Sequence, residues 1–181
     1  MKFRFFAIVF MIFSVLTGCM AAESEELEPL HQLLKEMKSE AENGRMKGID
    51  LPLGATLGEV QERYGKPKSF SNDECWTYSF DHPDTDAVFF YQHDACSQEN
   101  EQITDDIQMN KITVSPSFFQ ITVHEKDIRK ALGQPSDEYE NEAYGGYYLK
   151  YRTGDYQLIF VIWEDSVNRE ITRVSIALAD R

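Results

Sequence analysis

Basic residues are scarce in this chain, and so are thiols, imidazoles and long apolar runs. Eighteen lysines and arginines stand against 31 aspartates and glutamates, a net charge of −13. A surface of that sign repels phosphate backbones, and no basic stripe offsets it locally, so nucleic acid is excluded as a partner. No apolar stretch approaches the roughly 20 residues that a membrane-spanning helix needs. Gly-x-Ser-x-Gly, His-Glu-x-x-His and a phosphate-cradling glycine loop are all missing. The carboxylates are too numerous to single out a catalytic pair. The sequence therefore implies no cofactor and gives an enzymatic role no specific support.

The N-terminus is the most informative segment present. Lys2 and Arg4 precede an almost entirely apolar run from Phe5 to Val15, and Leu16-Thr17-Gly18-Cys19 follows. A basic start, a short apolar core and small residues before a cleavage point make residues 1–18 a signal peptide. The Thr-Gly-Cys ending resembles the lipobox of bacterial lipoproteins. That resemblance implies a diacylglyceryl group on the Cys19 thiol, cleavage before it, and an anchor in the cell membrane facing outside the cytoplasm. Each buried methylene contributes about 0.8 kcal/mol, so two acyl chains hold where one only binds reversibly. The other reading is an ordinary secretory signal cut near Ala21 or Ala22.

The first 18 residues hold two bases and no acid, so residues 19–181 carry all 31 acids against 16 bases. Residues 19–29, with Glu23, Glu25, Glu26, Glu28 and Pro29, read as a solvated acidic tether reaching about 30 Å if extended. The second half of that segment reads equally as a first helical turn. Residues 30–181 then form one α+β domain. Leu30, Leu33, Leu34 and Met37 have helical spacing, and Asn43-Gly44 supplies a left-handed stop, so a helix is expected over 30–42.

An internal repeat follows. Leu53–Pro67 has a counterpart in Ile121–Pro135, 68 residues later: Val60 matches Ile128, Tyr64 matches Leu132, Gly65 matches Gly133 and Pro67 matches Pro135. Each segment is expected to be a short helix closed by glycine and stopped by proline. Three strands are expected after each: Trp76–Phe80, Ala87–Tyr91 and Lys111–Val114 in the first copy, and Tyr147–Tyr151, Leu158–Trp163 and Arg173–Leu178 in the second. An insertion falls at Gln92–Asn110. The expected architecture is two tandem repeats, about 30–115 and 116–181, each a helix plus an antiparallel three-stranded meander, with the helices on one face of the sheet. A single copy buries too little apolar area to stand alone, so the two are expected to abut or share a core.

This ordered pattern over Leu53–Leu178 resembles the YjgB-like family of uncharacterised bacterial secreted and lipid-anchored proteins. The Gly-x-Pro segment followed by a meander also resembles the tandem repeat of the beta-lactamase inhibitor protein fold. That fold binds a partner protein on a curved, aromatic-rich sheet surface, which implies an interaction role here. The resemblance brings no catalytic residues with it.

Several side chains are candidates for chemistry. Cys75 and Cys96 are the thiols left once Cys19 is acylated, and an oxidising compartment permits a disulfide between them; two free thiols or a metal pair are the alternatives. His82, Asp84, Asp86, His93, Asp94 and Cys96 cluster in sequence without a known metal spacing and read as turn chemistry. His124 opens the second repeated helix as a capping residue, His31 is expected to be exposed, and Gly145-Gly146 reads as a turn. Trp76, Tyr78 and Phe80 share one side of their strand, as do Tyr147 and Tyr151 of theirs, with Tyr148, Phe90 and Trp163 on the opposite faces. These rows are either core or a recognition surface, with Trp76, Tyr78, Tyr147 and Tyr148 as the candidate contact residues. The resulting expectation is a membrane-anchored, non-enzymatic module with a protein partner. The alternative from another class is a hydrolase acting on a cell-wall or extracellular substrate.

Overall fold

The computed structural model describes residues 19–67, 69–74, 77–81, 86–92, 104–143 and 145–180. The elements run α1 (Cys19–Ala41), α2 (Leu57–Tyr64), β1 (Ser69–Glu74), β2 (Thr77–Asp81), β3 (Ala87–Gln92), β4 (Met109–Val114), α3 (Glu125–Leu132), β5 (Asp137–Glu140), β6 (Tyr147–Thr153), β7 (Tyr156–Ile162) and β8 (Arg173–Leu178). Short 3-10 turns at Pro116–Phe119 and Val167–Arg169 complete the chain path.

Helix α1 is described over Cys19–Ala41, so residues 19–29, expected as a solvated tether, are helical, with Pro29 inside the helix. Its stop falls where expected, with Gly44 at φ +67° and no room for a Cβ against the Tyr156 ring, 2.7 Å from where that atom would sit. Helix α2 is opened by Thr56, whose hydroxyl accepts from the Glu59 N–H at 3.2 Å while the Glu59 carboxylate accepts from the Thr56 N–H at 2.8 Å. His124 stands at the same place before α3, where the Asp127 carboxylate accepts the His124 N–H at 3.2 Å and the Asp127 N–H donates to the His124 carbonyl at 3.0 Å. Both helices end on a glycine at φ +80°, Gly65 and Gly133.

All eight strands form one antiparallel sheet in the order β1-β2-β3-β4-β8-β7-β6-β5. Each short helix is thus followed by a four-stranded meander rather than the expected three-stranded one, and β4 against β8 joins the two halves. The strands missing from the sequence reading are β1 and β5, Ser-Phe-Ser-Asn-Asp-Glu and Asp-Glu-Tyr-Glu. They are the two edges of the sheet. An edge strand pairs on one side only and tolerates polar residues that discourage further pairing, so neither carries an alternating apolar pattern. The N-caps of both halves also meet the approach to the last strand of their own half: Thr56 bridges Gln108 and His124 bridges Glu170. The end of the expected insertion is therefore bound to α2, with Leu57 N–H donating to the Ile107 carbonyl at 2.9 Å and Gly58 N–H to the Asp105 carbonyl at 2.8 Å.

The core lies between the helices and one face of the sheet. Leu34, Met37 and Ala41 of α1, Leu57, Val60 and Tyr64 of α2, and Ile128 of α3 pack with Phe89, Tyr91, Ile112, Leu149, Tyr151, Leu158, Phe160, Val174 and Ile176 in a single cluster. Strand register explains the selection, since Phe89 pairs with Ile112, Ile112 with Ile176, and Leu158 with both Ile176 and Tyr151. The Tyr64 ring stacks on Phe89 with centroids 5.6 Å apart. His31, expected to be exposed, is buried at 8% because α1 packs that turn inward against α3 and the sheet. Among the described residues, no helix is long and apolar enough to cross a membrane.

Candidate functional site

The face of the sheet turned away from the helices is built from the alternate residues of the same strands. Across β5 to β8 one row reads Tyr139, Tyr148, Val161, Arg173. The next reads Asp137, Lys150, Ile159, Ser175 and continues to Thr113 of β4. A third reads Arg152, Gln157, Ala177, Lys111, Phe90. Ile159 and Val161 are buried yet stand outside the helix-side cluster. Thr113 and Ser175 hydroxyls share a 2.8 Å hydrogen bond at the centre.

This face concentrates its bases on the β4–β8 half, while Asp81 of β2 falls in the row of Val88 and Thr113, and Asp180 lies just past β8 against Lys150. On β4 to β8 it carries Lys111, Lys150, Arg152 and Arg173 against the single acid Asp137. Aromatic rings are interleaved with these cations. Lys111 Nζ lies 3.8 Å from the Phe90 ring centroid, Lys150 Nζ 5.0 Å from Tyr139, and the Arg173 guanidinium 5.2 Å from Trp163. Tyr139 and Tyr148, directly paired across β5 and β6, stack at 5.2 Å with their planes 7° apart. Trp163 sits against Gly146, where a Cβ would come within 3.4 Å of its ring and 3.3 Å of the Ile162 carbonyl; the Gly145-Gly146 turn brings backbone close to this aromatic.

At the β5–β6–β7 corner a cleft of about 200 Å³ is lined by Ser136, Asp137, Lys150, Arg152, Gln157 and Asp180. Lys150 Nζ donates to Asp180 Oδ2 at 2.6 Å. Burial favours the neutral Lys150 amine, but the Asp180 bond and nearby acidic charge outweigh it and raise its pKa. The same bond from Lys150 holds the Asp180 carboxyl below its ordinary range. Gln157 is buried at 7% exposure, and its Nε2 donates to the Leu178 carbonyl at 2.9 Å.

The helix side carries a separate ion network. Arg129 of α3 binds Glu125 at 2.7 Å, Glu138 of β5, and Gln134 at 2.8 Å, while Arg169 binds Glu125 and lies over the Tyr147 ring at 4.5 Å. Partial burial opposes ionisation of Glu125, but hydrogen bonds from Arg169 and Arg129 prevail and depress its pKa. Arg129, then Tyr147, depresses Glu138 likewise. Asn168 and Arg169 reach this arrangement with φ of +56° and +54°, a left-handed conformation that costs free energy in non-glycine residues. The network pins α3 to the sheet edge and to the β7–β8 connection.

The sequence-singled residues divide between these faces. Tyr151 is in the core, its pKa pushed up to about 12 by burial, and its hydroxyl donates to the Gly133 carbonyl at 3.0 Å. Tyr147 is half-buried on the helix side under Arg169, and Tyr148 belongs to the outer face. Tyr78 pairs with core residue Tyr91 across β2 and β3. Cys19 lies in α1. Trp76, Cys75, Cys96, His82, Asp84, His93 and Asp94 lie outside the described residues. Among the described residues, no three histidine, cysteine or carboxylate side chains gather into a metal-binding group. The sequence reading did not single out Tyr139, Lys150, Arg152, Arg173 or Asp180. Tyr148-Leu-Lys150-Tyr-Arg152, an aromatic and two bases at alternate strand positions, was the available signal.

Comparison with known proteins places the chain. The solved structure of a DUF4309 family protein, YjgB from Bacillus subtilis subsp. subtilis str. 168, is similar in fold, with TM-score 0.56 and 17% identity over 82% of this chain and 97% of that one. A cysteine-rich secretory protein, SAV1118 from Staphylococcus aureus subsp. aureus Mu50, overlaps with TM-score 0.42 and 10% identity over 70% of this chain and 44% of that one. No curated protein matches the sequence. Residues 34–177 match the family described as Domain of unknown function (DUF4309), and the chain belongs to that family.

Proposed function

We propose that this protein is a lipid-anchored, extracytoplasmic binding module that captures a protein partner on the helix-free face of its sheet. One observation carries the reading: the β4–β8 half of this face gathers four bases, interleaved with aromatic rings, in a chain of net charge −13. A strand face that served only to close the fold would have no need to collect the scarce cations of an acidic molecule. Rings paired with cations are groups that protein interfaces favour, because they bring large contact area and directional charge together. The resemblance of the tandem segments to an inhibitor fold that binds through its sheet supports the same role. The module acts by binding rather than by turnover.

The anchor rests on the lipobox resemblance at Leu16–Cys19. Acylation at Cys19 would hold the sheet outside the cytoplasm, within reach of other envelope proteins.

Membrane fractionation and cross-linking capture from intact cells test both parts. The full chain is expected in the membrane fraction, and Cys19→Ser is expected to release it; a variant that stays membrane-bound with unchanged migration rejects the anchor. Arg173→Glu is expected to lose the captured partner, whereas Lys126→Glu, a charge reversal on the exposed side of α3, keeps it. Equal capture by all three chains rejects the face.

A further inference from the structure

We infer that the cleft at the β5–β6–β7 corner is a carboxylate-binding subsite for an extended acidic segment of the partner, and that Asp180 occupies it in the free protein as a displaceable stand-in. The inference rests on the binding role proposed for the outer face.

The ion pair in this cleft is asymmetric. The Lys150 side chain is 15% exposed and fixed within a central run of strand β6, whereas the Asp180 side chain is 74% exposed. Asp180 also lies beyond the last strand, which ends at Leu178. The Ala179 N–H donates to the Asp155 carbonyl at 2.9 Å, and the Gln157 side chain bonds the Asp180 carboxylate beside Lys150. The cation belongs to the sheet, and the carboxylate comes from an exposed residue past the end of β8.

With Asp180 in place the lining is balanced, Lys150 and Arg152 against Asp137 and Asp180, and displacing Asp180 leaves a surplus of positive charge. Arg152 follows Lys150 by two residues on the same face; among the described residues it forms no ion pair, its charge acts on Asp180 from a distance, and its Nε donates to the Gly154 carbonyl at 3.5 Å. Asp137, opposite Lys150 in the β5–β6 register, favours the Lys150 charge and leaves Arg152 as the stronger anchor for an incoming acid. Gln157 is held at the base of the cleft by its bond to the Leu178 carbonyl, so the floor is set before any ligand arrives.

Spacing selects the ligand. Cations two residues apart on a strand stand about 6.8 Å from one another, and an extended peptide repeats its side chains on one face at the same interval. A partner segment with acids at alternate positions therefore presents one carboxylate to Lys150 and the next to the guanidinium of Arg152, which accepts carboxylates in a bidentate fork. Asp180 fills the first position while the partner is absent. Binding exchanges an intramolecular carboxylate for an intermolecular one.

The test is fluorescence anisotropy of a labelled peptide of about ten residues alternating Glu and Val, titrated with the full chain in neutral detergent. Asp180→Asn is expected to bind this peptide about three- to fivefold more tightly than the unaltered chain, the scale of one solvent-screened ion pair. Arg152→Gln is expected to bind about tenfold more weakly, and the Gln–Val peptide not at all. Circular dichroism melting of each variant shows that the fold is kept. An Asp180→Asn chain that melts normally yet binds no better overturns the stand-in role. A polyphosphate chain that displaces the Glu–Val peptide and binds more tightly, with the same dependence on Arg152, overturns the choice of an acidic segment. If no variant binds the peptide while Arg173→Glu still abolishes partner capture, this inference falls and the binding face stands. If Arg173→Glu leaves capture intact, the face itself is at fault.

Discussion

The two faces of one sheet carry different kinds of residue. On the helix side, Phe89, Ile112, Leu149, Phe160 and Ile176 are fully buried, and their register neighbours extend one apolar layer under all three helices. On the outer side the same strands present Lys111, Lys150, Arg152, Arg173, Tyr139 and Tyr148. Successive residues of a strand alternate between the faces, so β6 alone contributes Leu149 and Tyr151 to the core and Tyr148, Lys150 and Arg152 to the other side. Core and outer-face residues thus alternate along the same segments, and on the proposed reading a substitution on one face is expected to leave the role of the other undisturbed.

The largest expected effect breaks the helix side. Phe160→Ala removes a ring with 0% exposure, and large-to-small changes of this kind cost about 3 to 5 kcal/mol. Chemical denaturation should show a loss of that order; a loss below about 1 kcal/mol would mean that the core lies elsewhere. Its counterpart on the other face is Arg173→Glu, an exposed residue off any core contact. That variant should stay within about 0.5 kcal/mol of the unaltered chain in the same assay while losing partner capture.

A smaller effect sharpens the comparison at the sheet edge, where the helix-side network joins α3 to β5. Glu125 and Glu138 both titrate lower in the folded chain than their ordinary value of 4.5. Their stabilisation is therefore complete above that value and is lost as pH falls through the depressed folded values. Thermal melting from about pH 6 to pH 3 should fall more steeply for the unaltered chain than for a Glu125→Gln, Glu138→Gln double variant. Parallel curves would remove the network from the stability of the fold. The smallest effect is expected at Thr56→Ala, which deletes the α2 cap bond and should cost about 1 kcal/mol without touching the outer face.

These differences also explain how far the sequence could be read. Helix ends were legible because capping and stopping are local: Thr56, His124, Gly65 and Gly133 act within a few residues of where they stand. The central strands were legible through their apolar alternation. Strands β1 and β5 were not, because edge position is decided by which strands meet across the chain, and their residues are polar. The joining of both meanders through β4 and β8 has the same non-local origin. Residues 19–29 read as a tether since Pro29 and four glutamates carry no helical apolar stripe; the helix there continues from the packed turns of α1 that follow. On the outer face, Tyr148 could be placed as an alternative contact. Arg173, Lys111 and Asp180 could not, for they converge with β6 only through pairing across the sheet and the return of the tail.

Site-specific photocross-linking in intact cells addresses the division of faces most directly. A benzophenone side chain placed at Tyr148, on the outer face, should yield a discrete cross-linked partner band, and one placed at Lys126, on the exposed side of α3, should yield none. A band from position 126 with none from position 148 would contradict the account.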